Sequence, residues 1–275
     1  MRVLLKDRAL LRISGTDSEN FLQNQLTNDI SKLANNRIQI NAYCQHQGKI
    51  IALFWVMRSH DGFMLSFPND LLDKIKTRLQ MFIIMSDVII EDISKEYCQI
   101  GLINEDNSNV FPINENLSLL IQPNEEFNEM ILTRQDEWTK VCIDFQLPEI
   151  FLKSSEKLVP QMLNLDIDEF GVNFSKGCYP GQEVVARLHY LGEAKRRLFS
   201  FISESEMQVG DNLYCASSKA AKARGERYKG SGIVVNKVKY NSIFYCLATL
   251  DVNLLSDKIT LNNEHGPILN KINNE

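Results

Sequence analysis

The chain has 275 residues, of which 44% are hydrophobic and 24% charged, as is typical of a soluble protein with one large or two modest domains. Its 35 acidic residues outnumber its 30 basic ones, a net charge of -5, so the protein as a whole is not expected to attract nucleic acid. The six cysteines form no Cys-x-x-Cys pair, which argues against a zinc knuckle or a thioredoxin-type motif.

The N-terminus lacks a long apolar run. The sequence therefore predicts neither a signal peptide nor a membrane span, and no membrane partner is expected. The cysteines are widely spaced and no signal peptide is predicted, so reduced thiols are the simplest explanation. A cytoplasmic protein is therefore predicted.

The first two thirds of the chain are predicted to combine helices with antiparallel strands. Thr16 and Glu19 form a capping-box pattern that starts a first helix. Two more helices are predicted from Pro68 and from Asp136. Apolar runs between turn residues predict strands at 38–44, 50–57, 63–67, 88–91, 97–103 and 117–121. This order favours the α+β class over a doubly wound parallel sheet.

The pattern changes beyond residue 193, where short strands with turn residues between them replace the mixed pattern. They are predicted at 198–202, 212–215, 232–238, 243–250 and 258–261. Five such strands in so short a segment favour a small antiparallel barrel. The sequence thus predicts an α+β region at 1–193 and a β-barrel at 194–275.

Segment 175–187 concentrates ionisable and amide side chains around two glycines and a proline. Its notable residues are Lys176, Gly177, Cys178, Tyr179, Gly181, Gln182, Glu183 and Arg187. Gly177 and Gly181 permit conformations or close approaches that other residues resist, and Pro180 suits the first turn of a helix. A tight turn followed by a helix that begins near residue 180 or 181 is predicted.

Cys178 is predicted to be a reactive thiol. It lies just before a helix N-terminus and beside Lys176, and both features favour a thiolate. The alternative is an inert buried thiol, since free cysteines are among the most buried residues.

The helix that follows Cys178 is predicted to be amphipathic. Glu183 and Arg187 stand four residues apart and are predicted to form an ion pair. Val184, Val185 and Leu188 are predicted to form the buried side.

This segment resembles the signature of the YgfZ-type folate-binding proteins, relatives of the glycine-cleavage T-protein. Every fixed position of Lys-Gly-Cys-Tyr-x-Gly-Gln-Glu-x-x-x-Arg is matched at 176–187, and further matches lie at 21–29, 47–50 and 160–166. The resemblance implies a T-protein-like ring of ferredoxin-like α+β subdomains with a small C-terminal antiparallel β-barrel. It also implies binding of tetrahydrofolate or another reduced folate, and assistance to iron-sulfur cluster assembly or repair.

The same resemblance implies roles for partners and for the signature residues. Iron-sulfur client or assembly proteins are the implied partners, and tRNA is an indirect one, through tRNA modification. Cys178 is the redox-active or cluster-handling thiol, whose acidity Lys176 tunes. Tyr179 stacks or hydrogen-bonds, while Gln182, Glu183 and Arg187 hold the loop.

The implied folate contacts lie outside the signature, at Gln25, Asp29, Asp144, Gln161 and Asn164. Asp144 falls where T-protein relatives place a folate-contacting glutamate, and a carboxylate can accept two parallel hydrogen bonds from a pterin. Its side chain is one methylene shorter than that of glutamate. The alternative is a solvated helical aspartate.

Two departures bear on this pocket and on the activity. The family usually has an arginine and a glycine in the region where this chain has Cys142 and Gln146. The T-protein also carries an aspartate after the turn equivalent to Gly48, where residues 48–53 contain no acid. Because aminomethyl transfer needs a carboxylate for the substrate amine, this absence argues against a folate-dependent aminomethyltransferase.

Two other functions are compatible with parts of the sequence. Cys178 with His189 as its base is the minimum for a cysteine hydrolase. The other is an RNA-binding module, in which a basic barrel loop binds RNA phosphates. The same loop could instead receive the polyglutamate tail of a folate, which is also an anion. The loop residues are Lys219, Lys222, Arg224, Arg227 and Lys229.

Overall fold

The computed structural model describes residues 1–105, 110–127, 134–192, 194–218 and 230–272. These residues form two antiparallel sheets, a closed barrel and a small number of helices, so the predicted α+β class is confirmed. The α-helices are α1 Ser18–Gln25, α2 Leu72–Gln80, α3 Gln135–Asp144 and α4 Gln182–Tyr190. None of the described helices is both long and apolar enough to cross a membrane.

The larger sheet has five strands in the order β3-β4-β5-β2-β6. They are β2 Arg8–Ser14, β3 Gln39–Cys44, β4 Ile50–Ser59, β5 Gly62–Pro68 and β6 Ile89–Asp92. The hairpins that join β3, β4 and β5 were expected from the sequence, whereas β2 was not. Apolar residues alternate at 38, 40, 42 and 44, which predicts a half-buried strand. This prediction is wrong, because both faces of β3 are buried and Asn41 is as inaccessible as Ala42.

The smaller sheet has the order β1-β7-β9-β8. Its strands are β1 Arg2–Leu4, β7 Tyr97–Ile103, β8 Phe111–Pro112 and β9 Leu117–Pro123. Helix α3 lies against it so closely that a Cβ at Gly101 would come within 2.4 Å of the Trp138 ring. Trp138 also meets Trp55 of β4 edge to face, at 6.2 Å between ring centroids, so the two sheets share one core.

The C-terminal strands close into a six-stranded antiparallel barrel, as predicted, with its own apolar interior. Its strands are β10 Arg196–Ser203, β11 Asn212–Cys215, β12 Gly232–Tyr240, β13 Ile243–Asp251, β14 Ile259–Leu261 and β15 Ile268–Lys271. Strand β15 was not expected. The boundary placed at 193/194 stays a prediction, and residue 193 is outside the described ranges.

The predicted capping box at the start of α1 is wrong. Asp17, not Thr16, is the N-cap residue, and its side chain caps no backbone N–H. Thr16 donates its hydroxyl to Asp87, at 2.8 Å, and Glu19 pairs with Arg58 of β4. Partners from distant segments of the chain thus replace the local reciprocal bonds that the motif offers.

Candidate functional site

The signature segment forms a loop followed by α4, which starts where the sequence predicts. Gly181 is its N-cap residue and has φ of +84°. The Gln182 amide donates to the Tyr179 carbonyl at 3.2 Å, and the Val185 amide donates to the Gly181 carbonyl at 3.2 Å. The turn ahead of the helix is therefore closed by its own backbone.

Gly181 lies directly against the turn at residues 45–48, which connects β3 to β4. A Cβ at Gly181 would stand 2.4 Å from the Gln45 carbonyl oxygen and 2.8 Å from the Gly48 backbone. Gly48 itself has φ of +74° and faces Val184. Two motifs far apart in sequence thus meet backbone to backbone, which only glycine permits.

Gly177 behaves differently from the prediction. It has no positive φ, and a Cβ there would meet no atom within 4 Å. The described structure therefore shows no steric requirement for glycine at this position.

Lys176 is buried and extends its ammonium toward the end of α1. Its Nζ donates to the carbonyl oxygens of Gln23, Leu26 and Asn28, at 2.6, 2.5 and 3.0 Å. These include carbonyls that the helix leaves without an internal partner, and a cation also suits the helix C-terminus. Lys176 is thus a C-cap supplied by a residue 150 positions away from Leu26.

This geometry gives Lys176 a structural role beside the expected tuning of Cys178, which stays a prediction. An ammonium has three protons to donate, and three carbonyls accept them, so none is left for a hydrogen bond to the Cys178 thiolate. Burial lowers the pKa of Lys176 to about 8, against the opposing effect of Asp29. Tyr179, also buried, places its ring 5.3 Å from the same Nζ.

Cys178 is exposed, whereas the other five cysteines, all within the described residues, are buried. Burial raises the pKa of each of those five thiols, to about 12 for Cys142. They are therefore poor nucleophiles and poor metal ligands at neutral pH. Cys178 is the cysteine that a partner can reach.

The outer face of α4 does not form the expected ion pair. Among the described contacts, no salt bridge joins Glu183 to Arg187, and both side chains are exposed. They flank a groove of about 270 Å³ that Val184 and Leu188 help to line. Only Val185, of the three residues predicted to face the core, is fully buried.

The family resemblance implies that Gln182, Glu183 and Arg187 hold the loop. Of these three residues, Gln182 comes closest to doing so. Its Nε2 lies 3.4 Å from the Lys176 carbonyl oxygen and 3.5 Å from that of Gly177. Both are long for hydrogen bonds, so the amide contributes weakly to the hold on the loop.

His189 is turned toward aromatic neighbours. Its ring stacks on Phe174 at 3.7 Å between centroids and meets Tyr190 edge to face. No described hydrogen bond joins it to Cys178, so the structure does not form the Cys-His pair that a hydrolase needs.

Two of the implied folate contacts have unpaired acceptors. Gln25 and Gln161 are buried, and each has a side-chain oxygen without a hydrogen-bond partner among the described residues. The amide nitrogen of Gln161 donates to the Val185 carbonyl at 2.7 Å, which ties this residue to the signature helix.

The other three have their polar atoms engaged within the chain. Asp29 accepts from the Ser31 hydroxyl at 2.6 Å, and this bond is the main reason its pKa is lowered. Asn164 exchanges bonds with the backbone of Leu198 at 3.1 and 3.4 Å. Asp144, 43% exposed, accepts from Lys140 at 2.7 and 2.8 Å.

Sequence reasoning missed the contact between the barrel and this site. Arg197 of β10 donates to Asp166 at 2.5 and 3.1 Å and to the Gln161 carbonyl at 3.0 Å. Asp166 lies in the matched segment 160–166, which is the one signal that pointed to it.

A cleft of about 950 Å³ lies elsewhere in the described structure. Arg12, Arg58, Tyr97 and Phe111 help to line it, and no residue of 175–187 does so. The basic barrel loop, at 219–229, falls outside the described residues, so its role as an anion receptor stays a prediction.

No family model matches the sequence, but several known proteins are similar to it over most of its length. A protein of Haemophilus influenzae described as uncharacterized is 31% identical over 224 residues, 77% of each chain. Two proteins named tRNA-modifying protein YgfZ, from Aliivibrio fischeri MJ11 and Photorhabdus laumondii, are 28% and 26% identical. Their matches cover 86% and 87% of this chain and 80% of theirs.

The fold also matches a solved structure. Aminomethyltransferase T of the glycine cleavage system from Bartonella henselae superimposes with a TM-score of 0.70, over 99% of this chain and 84% of that one. Sequence identity is 9%, so the likeness concerns the fold alone. It confirms the T-protein-like architecture that the signature implies.

Proposed function

The chain belongs to the YgfZ-type family with the fold of aminomethyltransferase T, and from this premise we propose that it supports tRNA modification. In this proposal it is a folate-binding accessory protein for iron-sulfur cluster assembly or repair, and Cys178 is its essential thiol. The names of its relatives support the tRNA role. Assembly or client proteins are the direct partners, and tRNA is an indirect one.

The observation that carries the proposal is the contrast among the cysteines. Cys178 is exposed on a loop that Lys176 and Gly181 fix to the rest of the fold, while the other five are buried. A thiolate in such a position can ligate iron or exchange with a disulfide. The six cysteines are free, which also supports a cytoplasmic location, where thiols stay reduced.

A single thiol supplies one ligand to an iron-sulfur cluster. Within the described residues, no group of three His, Cys, Asp or Glu side chains is placed to hold a metal ion. Cys178 is therefore suited to a transient contact with a cluster whose other ligands belong to a partner, rather than to permanent storage.

Two unpaired acceptors support the folate part of the proposal. A buried acceptor without a hydrogen bond is costly, and Gln25 and Gln161 each have one. Pterin N–H groups would donate hydrogen bonds to such oxygens. The Asp144 carboxylate would accept further hydrogen bonds from the pterin once it released Lys140. A bound folate would supply a one-carbon carrier.

Aminomethyl transfer is not favoured. Ile51 and Ala52, which stand where the T-protein relatives carry acids, are apolar and fully buried. No carboxylate at these positions can receive a substrate amine.

We expect Cys178→Ser to fold normally and to lose its support of tRNA modification. An exposed cysteine contributes little to stability, whereas a hydroxyl replaces neither the nucleophile nor the iron ligand. The measurement is the level of iron-sulfur-dependent modified nucleosides, by mass spectrometry, in a bacterial strain that lacks its own protein of this family.

The matched control is Cys98→Ser. The Cys98 thiol is buried and lies 3.5 Å from the Gln122 carbonyl oxygen, a contact that a serine hydroxyl can keep. This variant should complement the strain fully. Full complementation by Cys178→Ser would instead remove the thiol from the mechanism.

Folate binding is tested by calorimetric titration with tetrahydrofolate under anaerobic conditions. We expect Asp144→Ala to weaken binding by about tenfold or more, because a charge-assisted hydrogen bond contributes roughly 1.5–3 kcal/mol. Asp136→Ala, at the other end of α3, is the control and should bind like the wild type. Absence of binding to the wild type would refute the folate assignment.

A further inference from the structure

A large exposed apolar surface lies away from the signature segment. It extends from the end of α2 to the start of β6, the edge strand of the larger sheet. Its members, called the edge patch, are Met81, Phe82, Ile84, Met85 and Ile89. Met85 is 100% exposed, Ile84 78% and Met81 64%. Scattered exposed apolar residues are normal, but five within nine positions mark an interaction site.

The edge patch adjoins a sheet edge. Strand β6 ends the order β3-β4-β5-β2-β6, so in the described residues it pairs with β2 alone. An edge strand leaves half of its backbone N–H and C=O groups available for another strand. Ile89 belongs both to this strand and to the patch.

We propose that β6 and the edge patch form a two-fold interface with a second copy of this chain. Antiparallel pairing of β6 with its own copy is symmetric, so a single operation extends the sheet and places the edge patch of each chain beside the C-terminal end of the other chain's β6. In a register centred between Ile90 and Glu91, Ile89 of one chain lies opposite Asp92 of the other. Like charges are then not opposite each other.

The acidic residues of β6 do not oppose this pairing. Glu91 is neutralised by Arg12 of its own chain, at 2.8 Å. Asp92 accepts from the backbone amide and the hydroxyl of Ser94, at 3.1 and 2.5 Å. Both carboxylates therefore have partners before a second chain arrives.

The area agrees with a stable dimer. The five side chains together expose about 670 Å² if a fully exposed side chain of this size offers ~200 Å². Covering the patches of both copies would bury about 1,300 Å² before backbone pairing is counted, which is within the range of specific interfaces.

A lipid membrane is a less suitable partner for the edge patch than a second copy of the chain. Binding to an anionic lipid surface needs a surplus of basic residues. The edge patch is instead bordered by the exposed Asp87, which accepts from Thr16, and by Glu91. These carboxylates at its border fit a protein surface better than an anionic lipid surface.

The test is sedimentation velocity of the full chain, in reducing buffer so that Cys178 forms no cross-link, from about 1 to 100 μM, the range of moderate dimer affinities. We expect a dimer for the wild type. For Ile84→Lys/Met85→Lys we expect at least a tenfold weaker association, because two charges from each chain enter the apolar part of the interface. Leu191→Lys, 83% exposed on another surface, is the control and should dimerise normally.

Hydrogen exchange separates a pairing defect from a folding defect. Amides of residues 89–92 should be protected at high wild-type concentration and lose part of this protection in the double variant, while those of β4 stay unchanged. A wild type that is monomeric throughout, with or without binding to phosphatidylglycerol vesicles, would overturn the proposal. So would a double variant that dimerises as well as the wild type.

Discussion

Gly181→Ala is expected to destabilise the protein by about 3–5 kcal/mol, because it combines backbone strain with overpacking. Gly181 has φ of +84°, a conformation in which alanine is strained. Its Cβ would also stand 2.4 Å from the Gln45 carbonyl oxygen and 2.8 Å from the Gly48 backbone. Neither neighbour is a side chain that can rotate away, so the loop or the turn must move.

The matched control is Gly177→Ala in the same loop. A Cβ there meets nothing within 4 Å and the φ is not positive, so we expect a change within about 0.5 kcal/mol. Urea unfolding measures both variants. The rate at which Cys178 reacts with a thiol reagent reports separately on the loop, and it should change in Gly181→Ala alone. Equal stability of the two variants would contradict the backbone contact.

Lys176→Met is expected to lower the free energy of unfolding by about 3 kcal/mol or more, because three buried carbonyls lose a charged donor. Methionine retains the apolar stem but cannot bond to Gln23, Leu26 or Asn28. The C-terminal end of α1 should therefore show faster hydrogen exchange than the rest of the protein.

Lys153→Met is the control for this prediction. Lys153 is exposed, so loss of its charge should change the stability by no more than about 0.5 kcal/mol. If Lys176→Met were as stable as this control, the ammonium would not act as a cap. If Lys176→Met were stable but inactive, the result would support the role implied by the family resemblance, tuning of Cys178.

The two predictions show where sequence reasoning reached its limit. The signature made Lys176 and Gly181 notable, and it located the start of α4 correctly. Their contacts were not predictable, because Leu26 and Gln45 lie more than 130 residues away along the chain. A motif identifies residues that matter, but their partners are set by which segments pack together.

The predicted folate contacts illustrate the same limit. The family resemblance selected five residues, and Asp29 and Asn164 turn out to bond Ser31 and the Leu198 backbone. Side chains that hold a fold and side chains that hold a ligand are drawn from the same polar types. The contacts of each side chain in the folded protein are needed to distinguish these two roles.

The sequence by itself determined the α+β class, the C-terminal barrel and the importance of segment 175–187, because apolar periodicity and glycine-proline spacing are local properties. The tertiary structure alone decided that Cys178 is the exposed thiol, that Lys176 caps α1 and that β6 is an open edge. Burial, capping and strand order arise from contacts between distant segments, and a linear pattern does not specify them.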